Sequence, residues 1–288
     1  MRILGPNTLS KEVLEKNLCI GCGGCVGLCP YFKTFMGKTA MVFPCDLDKG
    51  RCQAHCPKSE VDLDHLARLK GDAGYSASPI GASLKVLAAR AGKRWEGKTA
   101  QSGGTVSALM AFALEQGLID TAVLTGRKGL EPVPDLVTTP ESVAGFATSK
   151  YTAAPTLSAL NRAIAEGRKK IGVVATPCQA TAVAQLRGNP LQLEPFTDPV
   201  ALVVGLFCTW AIDTRKLASF LSDKLDPVEI RKMDIPPPPA EVFTIDTANG
   251  RIEVSLSEIR HMVPEGCRIC PDMTAEWADL SVGVFEGE

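Results

Sequence analysis

The residues with the most chemistry in this sequence are its eleven cysteines, and they are unevenly spread. Cys19, Cys22, Cys25 and Cys29 fall in the stretch CIGCGGCVGLCP, spaced Cys-x2-Cys-x2-Cys-x3-Cys and closed by Pro30. Thiols packed so closely serve either a disulfide framework or a metal site. The spacing matches the run in which three thiolates wrap one corner of a [4Fe-4S] cube and the fourth reaches a second cluster. Gly21, Gly23 and Gly24 let the backbone turn tightly where side chains would collide with the cube. A zinc knuckle or free thiols is the alternative.

A second run, Cys45, Cys52 and Cys56-Pro57, has Lys49 where its middle ligand would stand. If ligands cross over as in two-cluster ferredoxins, Cys19, Cys22, Cys25 and Cys56 complete one cube. Cys29, Cys45 and Cys52 then leave the other one ligand short. That site is expected to be a [3Fe-4S] cluster, or a cube completed by Asp46, Asp48 or water; merely structural cysteines are the other reading. The remaining four are Cys178, Cys208, Cys267 and Cys270. Cys178, in VVATPCQATAVAQL, follows an expected strand and opens an expected helix, whose dipole favours a thiolate. Cys208 closes the expected strand VALVVGLFC. Ends of parallel strands gather at one sheet edge, so these two could meet, with Cys267-x2-Cys270 as a chelating pair. The alternative is a pair of ordinary buried cysteines at 178 and 208.

Ser102, Gly103 and Gly104 precede a helix in AQSGGTVSALM, where free amides could cradle a pyrophosphate; helix capping explains them equally well. GKRWEGKT, Gly92 to Thr99, spells a phosphate loop, but it follows an expected helix, and Arg94, Trp95 and Glu96 crowd positions that usually approach phosphate. There is no dinucleotide glycine fingerprint after a strand and no nucleophile elbow. His55, His65 and His261 are scattered and read as surface residues.

The elements that must position these groups follow from composition and pattern. With 45% hydrophobic and 22% charged residues, the 288-residue chain reads as globular, one large or two ordinary domains. A net charge of -1 leaves no basic footprint for nucleic acid. The N-terminus lacks a secretory hydrophobic segment, and the longest apolar run, ALVVGLFCTWAI from Ala201, has 12 residues, too few to span a bilayer. A cytoplasmic location without membrane insertion is expected, where cysteines serve metals or redox centres more than disulfides.

Seven cysteines lie between Cys19 and Cys56, then none until Cys178, which implies two modules, 1–78 and 79–288. The first, rich in Gly and Pro, would depend on its clusters more than on an apolar core. In the second, SLKVLAARAGK reads as a helix stopped at Gly92, and TVSALMAFALEQG as a buried helix ending at Gly117. IDTAVLTG, KIGVVATP and VALVVGLFC read as strands covered on both faces. The class is therefore α/β with a mostly parallel sheet. Prolines 236–239 read as a stiff extended connector, and EVFTIDTANGRIEVSL as a hairpin about Asn249-Gly250.

In order, CIGCGGCVGLCP, QSGGTVSALMAFALEQGLID, ATSKYTAA, ATPCQATAVAQL, GLFC and GCRICPDMTAEWADLSVG resemble the beta-subunit family of coenzyme F420 hydrogenases and dehydrogenases, with a ferredoxin-like segment in front. The resemblance covers most of residues 80–284. It implies an FAD-containing α/β domain with its own iron-sulfur cluster on Cys178, Cys208, Cys267 and Cys270. It makes Ser102, Gly103, Gly104, Thr105, Ser149, Lys150, Tyr151 and Thr176 the expected cofactor contacts. Family members often continue beyond ADLSVG, which implies that part of the flavin or coenzyme pocket is absent or supplied by a partner.

The expected function is an electron-transfer subunit with FAD and two or three clusters, because a flavin exchanges electrons singly or in pairs whereas a cluster passes one at a time. The soluble carrier would be a deazaflavin, NAD(P)H or ferredoxin. The partners would be subunits of a hydrogenase, formate dehydrogenase or heterodisulfide reductase complex. The rivals are a flavin-dependent reductase of an organic substrate and a flavin-free iron-sulfur conduit.

Overall fold

The computed structural model describes residues 3–98, 100–226 and 230–284. Glycine, proline and cysteine dominate the first sixty residues, and only short elements form there: α1 (Pro6–Leu9), a wide turn (Ser10–Leu14), a hairpin of β1 (Phe32–Phe35) and β2 (Lys38–Met41), and α2 (Arg51–Ala54). Their core is small, centred on Leu9, Val13, Phe32 and Cys52. A longer helix, α3 (Leu63–Leu69), follows; Asp62 caps it, accepting from the His65 amide at 2.8 Å. Leu66 and Ala67 of α3 are buried in the main core of the molecule.

From residue 105 the chain alternates helices and strands: α4 (Thr105–Glu115), β3 (Thr121–Lys128), β4 (Glu131–Val137), α5 (Thr156–Ala165), β5 (Ile171–Ala175), α6 (Pro177–Arg187) and β6 (Val200–Leu206). β3, β5 and β6 run parallel, and β4 lies antiparallel on the outer edge of β3. Pro132 and Pro134 fit β4 because an edge strand need not donate on both sides. In β3, Val123 enters the core with α5 and α6, while Ala122 and Leu124 enter the core with α4. Both faces are thus covered, as a parallel sheet requires.

α7 (Thr214–Leu221) packs on an antiparallel meander of β7 (Ile230–Asp234), β8 (Val242–Thr247) and β9 (Gly250–Ser255). Leu217, Met233, Phe243 and Ile245 are fully buried there. Two short helices, α8 (Leu256–Ile259) and α9 (Glu265–Arg268), lead back to β10 (Leu280–Val282), which joins β6 in parallel. The main sheet has the order β10-β6-β5-β3-β4. Among the described residues, no helix is long and apolar enough to cross a membrane.

Several expectations need correction. SLKVLAARAGK is not a helix: residues 84–90 have no regular secondary structure and are exposed, tied by the Ala91 amide to Gly103 O at 2.8 Å and the Thr105 hydroxyl to Ala89 O at 3.4 Å. The phosphate-loop spelling therefore follows irregular chain; Trp95 is buried against Gly104, and Thr99 lies outside the described residues. α4 is half exposed, with only Met110 and Ala113 buried. The four prolines are no extended connector but the turn between β7 and β8, closed by the Ala240 amide on Pro237 O at 3.2 Å. His55 is buried, while His65 and His261 are exposed. The hairpin forms as read, but its two-residue turn is Ala248-Asn249, one position earlier, and Gly250 opens β9 opposite Thr247.

Candidate metal centres and cofactor pocket

The loop from Cys19 to Cys25 is fixed by contacts that only glycines allow. The amides of Gly21 and Gly24 point at the sulfurs of Cys19 and Cys22, at 3.4 and 3.5 Å. The carbonyl of Cys22 accepts from the Leu157 amide at 3.0 Å, and the buried Asn161 Nδ2 donates to Gly24 O at 3.1 Å and Val26 O at 2.8 Å. The loop is thereby docked on the first turns of α5. Cys56 arrives from beyond α2, its sulfur receiving the amides of Lys58 and Ser59. Cys19, Cys22, Cys25, Cys52 and Cys56 line one cavity together with Gly23, Gly24 and Lys58.

Electrostatics sort the cysteines into three groups. Burial pushes the Cys22 thiol far up, and Cys56, Cys178 and Cys25 beside it push further. Burial likewise raises Cys25, with Cys56, Cys19 and Cys52 as its charged neighbours. Cys56 reaches about 11, through burial and then Cys19 against its two amide bonds. Cys19, Cys22, Cys25 and Cys56 are therefore one group. Cys52 is raised to about 11 by burial, opposed by the Gln53 amide and reinforced by Cys29 and Cys45, which define the second. Cys29 is exposed, and Asp46 and Asp48 are exposed on the loop of Cys45.

The third group forms at the carboxyl edge of the main sheet. Cys178 opens α6, whose capping box joins Thr176 and Gln179, with Pro177 at the first helical position. Burial pushes Cys178 up to about 12, eased by the Thr176 hydroxyl at 3.3 Å and reinforced by Cys267 and Cys270. Cys208, just past β6, is raised by burial and then by Cys178, Cys267 and Cys270. The loop bearing the pair is rigid: Asp272 accepts the Thr274 and Glu276 amides at 2.8 and 3.1 Å, and the Cys208 amide bonds Met273 O at 2.9 Å. Cys22 and Cys178 mark the junction of the first and third groups, Cys25 and Cys52 that of the first and second.

The donor chemistry fits iron-sulfur clusters. Buried thiolates repel one another and need cationic metal to ionise. Among the described residues no three His, Cys, Asp or Glu side chains close on one point suited to a single ion. The thiolates of a cube bind different irons and so stand farther apart than the ligands of one ion.

The other sequence-predicted residues gather beside the third group. Ser102, Gly103 and Gly104 have φ of 51, 78 and 71°, a left-handed run that leads into α4 and Thr105. Gln101 joins this loop to Ser149, its Oε1 accepting the Ser149 amide at 2.9 Å, while its Nε2 donates to Asp234 Oδ1 at 2.7 Å. Tyr151 donates to the same Asp234 oxygen at 3.2 Å and accepts the Ile235 amide at 3.1 Å. The Ile212 amide bonds Tyr151 O at 2.7 Å, so the Ser149–Tyr151 loop pairs with the chain just past Cys208. Thr176 stands apart from this network, on Cys178. The sequence reading missed Gln101, Asp234, Asn161 and Arg127. Arg127 Nη1 is buried without a partner among the described residues, while its Nη2 bonds Arg231 O. A guanidinium whose Nη1 is unmatched, close enough to Lys150 to act on its ammonium, fits a phosphate-bearing cofactor such as FAD.

Lys150 is a tie for its own loop, donating to Phe146 O, Ala147 O and Thr148 O at 2.6, 2.9 and 2.7 Å. Burial, then Arg127, lowers it from 10.5 to about 8. Below pH 8 folded and unfolded chains both hold the proton, and the cost of burying the ammonium is fully present. Between 8 and 10.5 the unfolded chain binds more protons, so stability rises with pH. The unfolding free energy of the unmodified protein should therefore gain on that of Lys150→Met across this window, by up to about 3 kcal/mol. Parallel curves for the two in denaturant titrations would refute the assignment.

Fold and site together define a class: a mixed α/β protein with a parallel-rich sheet, whose cysteines gather in groups. Residues 86–161 match the family model described as coenzyme F420 hydrogenase/dehydrogenase, beta subunit N-term, and residues 168–288 match the companion model for the C terminus of the same family. The chain belongs to the coenzyme F420 hydrogenase/dehydrogenase beta-subunit family. It is 32% identical to the coenzyme F420 hydrogenase subunit beta of Methanothermobacter thermautotrophicus, over 71% of this chain and 73% of that protein. It is 31% identical to the coenzyme F420-dependent sulfite reductase of Methanocaldococcus jannaschii, over 94% of this chain but only 43% of that protein. A chain of the F420-reducing [NiFe] hydrogenase complex from Methanosarcina barkeri superposes with a TM-score of 0.58 at 31% identity, covering 64% of each chain, just under two thirds.

Proposed function

We propose that this chain is an electron-transfer subunit of an oxidoreductase complex, in which FAD exchanges electrons with a soluble carrier and three iron-sulfur clusters pass them singly to partner subunits. The observation that carries this reading is the succession of thiol groups: Cys29, Cys45 and Cys52, then Cys19, Cys22, Cys25 and Cys56, then Cys178, Cys208, Cys267 and Cys270. Relatives named as a coenzyme F420 hydrogenase subunit and a coenzyme F420-dependent sulfite reductase support it. Residues 1–78 act as a ferredoxin-like segment and 79–288 as the flavin-binding domain.

Bound near the Ser102–Gly104 loop, FAD would supply electron exchange in either ones or twos. The Ser102, Gly103, Gly104 and Thr105 segment and the Arg127 guanidinium would hold its phosphates. The Ser149–Tyr151 loop, fixed by Gln101 and Asp234, would shape the pocket beside Cys208. Thr176 supports the adjoining Cys178 sulfur. Because Cys29 is exposed, the second group would be the one from which a partner takes electrons or to which it delivers them.

Anaerobic purification followed by iron, sulfide and flavin analysis tests the reading. The expected result is roughly eleven or twelve irons and one FAD per chain, with the flavin bleached by reduced deazaflavin or NADH. A colourless protein holding zinc would overturn it, and bleaching only by ferredoxin would remove the direct carrier reaction.

A further inference from the structure

The first and third thiol groups share one unmatched cation. Lys58, two residues beyond Cys56, is half-buried and lines the same cavity as Cys19, Cys22, Cys25, Cys52 and Cys56. That cavity lies against the third group. A Cβ on Gly24 would stand 3.6 Å from Leu157 of α5 and 3.9 Å from Ala182 of α6, the helix that Cys178 opens. The ammonium also acts on Cys56 in the first group and on Cys178 and Cys267 in the third, lowering all three against burial. Lys58 enters none of the ion pairs among the described residues.

Lys38 offers the contrast. It approaches the same region, donating to Asn17 Oδ1 at 2.8 Å and standing near Cys267, but Asp213 faces it at 3.9 Å and matches its charge. Asp213 is itself buried at the cap of α7, and Arg215 Nη2 stands 3.3 Å from the same Asp213 oxygen.

We propose that Lys58 is a positioning charge shared by two iron-sulfur centres, raising the reduction potential of both and so holding electrons at the junction between the N-terminal segment and the α/β domain. The proposal rests on the electron-transfer reading above. Each centre gains one negative charge when it takes up an electron, so a nearby cation favours the reduced form, the more so the less water screens it. A cation placed between two centres shifts both in the same direction and keeps the step between them shallow. An ammonium on only one side would tilt that step.

The test is a potentiometric titration of the full chain followed by electron paramagnetic resonance. The two centres are assigned by the signals lost in Cys56→Ser and Cys208→Ser. Lys58→Met and Lys58→Gln should lower both midpoints, Lys58→Arg should restore them, and Lys38→Met should move them less. Iron content, measured in parallel, identifies a variant that has lost a centre, and either neutral variant with full iron suffices for the comparison. Unchanged midpoints in a fully loaded neutral variant, or a shift in only one centre, would overturn the proposal alone. If the unmodified protein lacks both signals, the electron-transfer reading falls, and this proposal falls with it.

Discussion

Gly23→Ala is expected to undock the cysteine loop from the α/β domain and to lower the temperature at which the iron-sulfur absorption bleaches. Gly23 has φ of 81°, where a residue with a side chain pays about 1–3 kcal/mol. Its Cβ would also stand 2.6 Å from Pro155 O and 2.8 Å from the Ser158 nitrogen. Both are backbone atoms at the start of α5, and neither can rotate away. Overpacking of that kind costs roughly another 1–3 kcal/mol, a large share of a total stability of about 5–15 kcal/mol. Gly27→Ala is the control, because Gly27 shares the left-handed backbone at φ of 86° but its Cβ would meet Asn161 Cβ at an ordinary 3.5 Å. Strain alone should make the two variants alike. If they bleach at the same temperature, close docking on α5 is not what holds the loop.

Cys56→Ser should remove the same spectroscopic centre as Cys22→Ser, although the two cysteines lie far apart in the chain. Cys56 follows closely on Cys52, so a ligand set drawn from neighbours in the chain would pair those two. Cys56 instead has Cys19, Cys22 and Cys25 as its neighbours, while Cys29 and Cys45 act on Cys52, and the proposed ligand sets follow that division. Loss of the middle group should cost about four irons per chain and leave the signals of the other two in place. Because Cys22 adjoins Cys178 and Cys25 adjoins Cys52, it should also stop electrons supplied at the α/β domain from reaching the outer centre. Serine is close to cysteine in size, so the fold should persist. Loss of one common centre in Cys56→Ser and Cys52→Ser would contradict this ligand assignment.

Which cysteines stand close together was legible in the sequence because runs of this kind obey a spacing rule, and the approach of Cys56 to Cys22 and Cys25 follows from that rule. Cys178 and Cys208 were legible for another reason: each follows an apolar run short enough to be a strand, and parallel strands end at one edge. What failed was local propensity under tertiary control. SLKVLAARAGK has good helix formers throughout, yet its backbone partners are Gly103 O and the Thr105 hydroxyl, distant in sequence. Four prolines favour extended backbone, but the pairing of β7 with β8 forces a turn between them. Nothing marks Asn161, a polar residue on the buried side of α5, as the donor that holds Gly24 and Val26, because its acceptors lie in a distant part of the chain. Arg127 and Asp234 belong to no motif, and only the juxtaposition of β3, β7 and the Ser149–Tyr151 loop gives them meaning.

The burial of Leu66 and Ala67 among side chains of the main sheet and its helices has a consequence for transport. With α3 embedded there and Asn161 gripping the cysteine loop, the N-terminal segment cannot swing out as a tethered shuttle. On the proposed reading, current through this molecule would run along fixed wiring, and gating by partner binding would act at its exposed terminals.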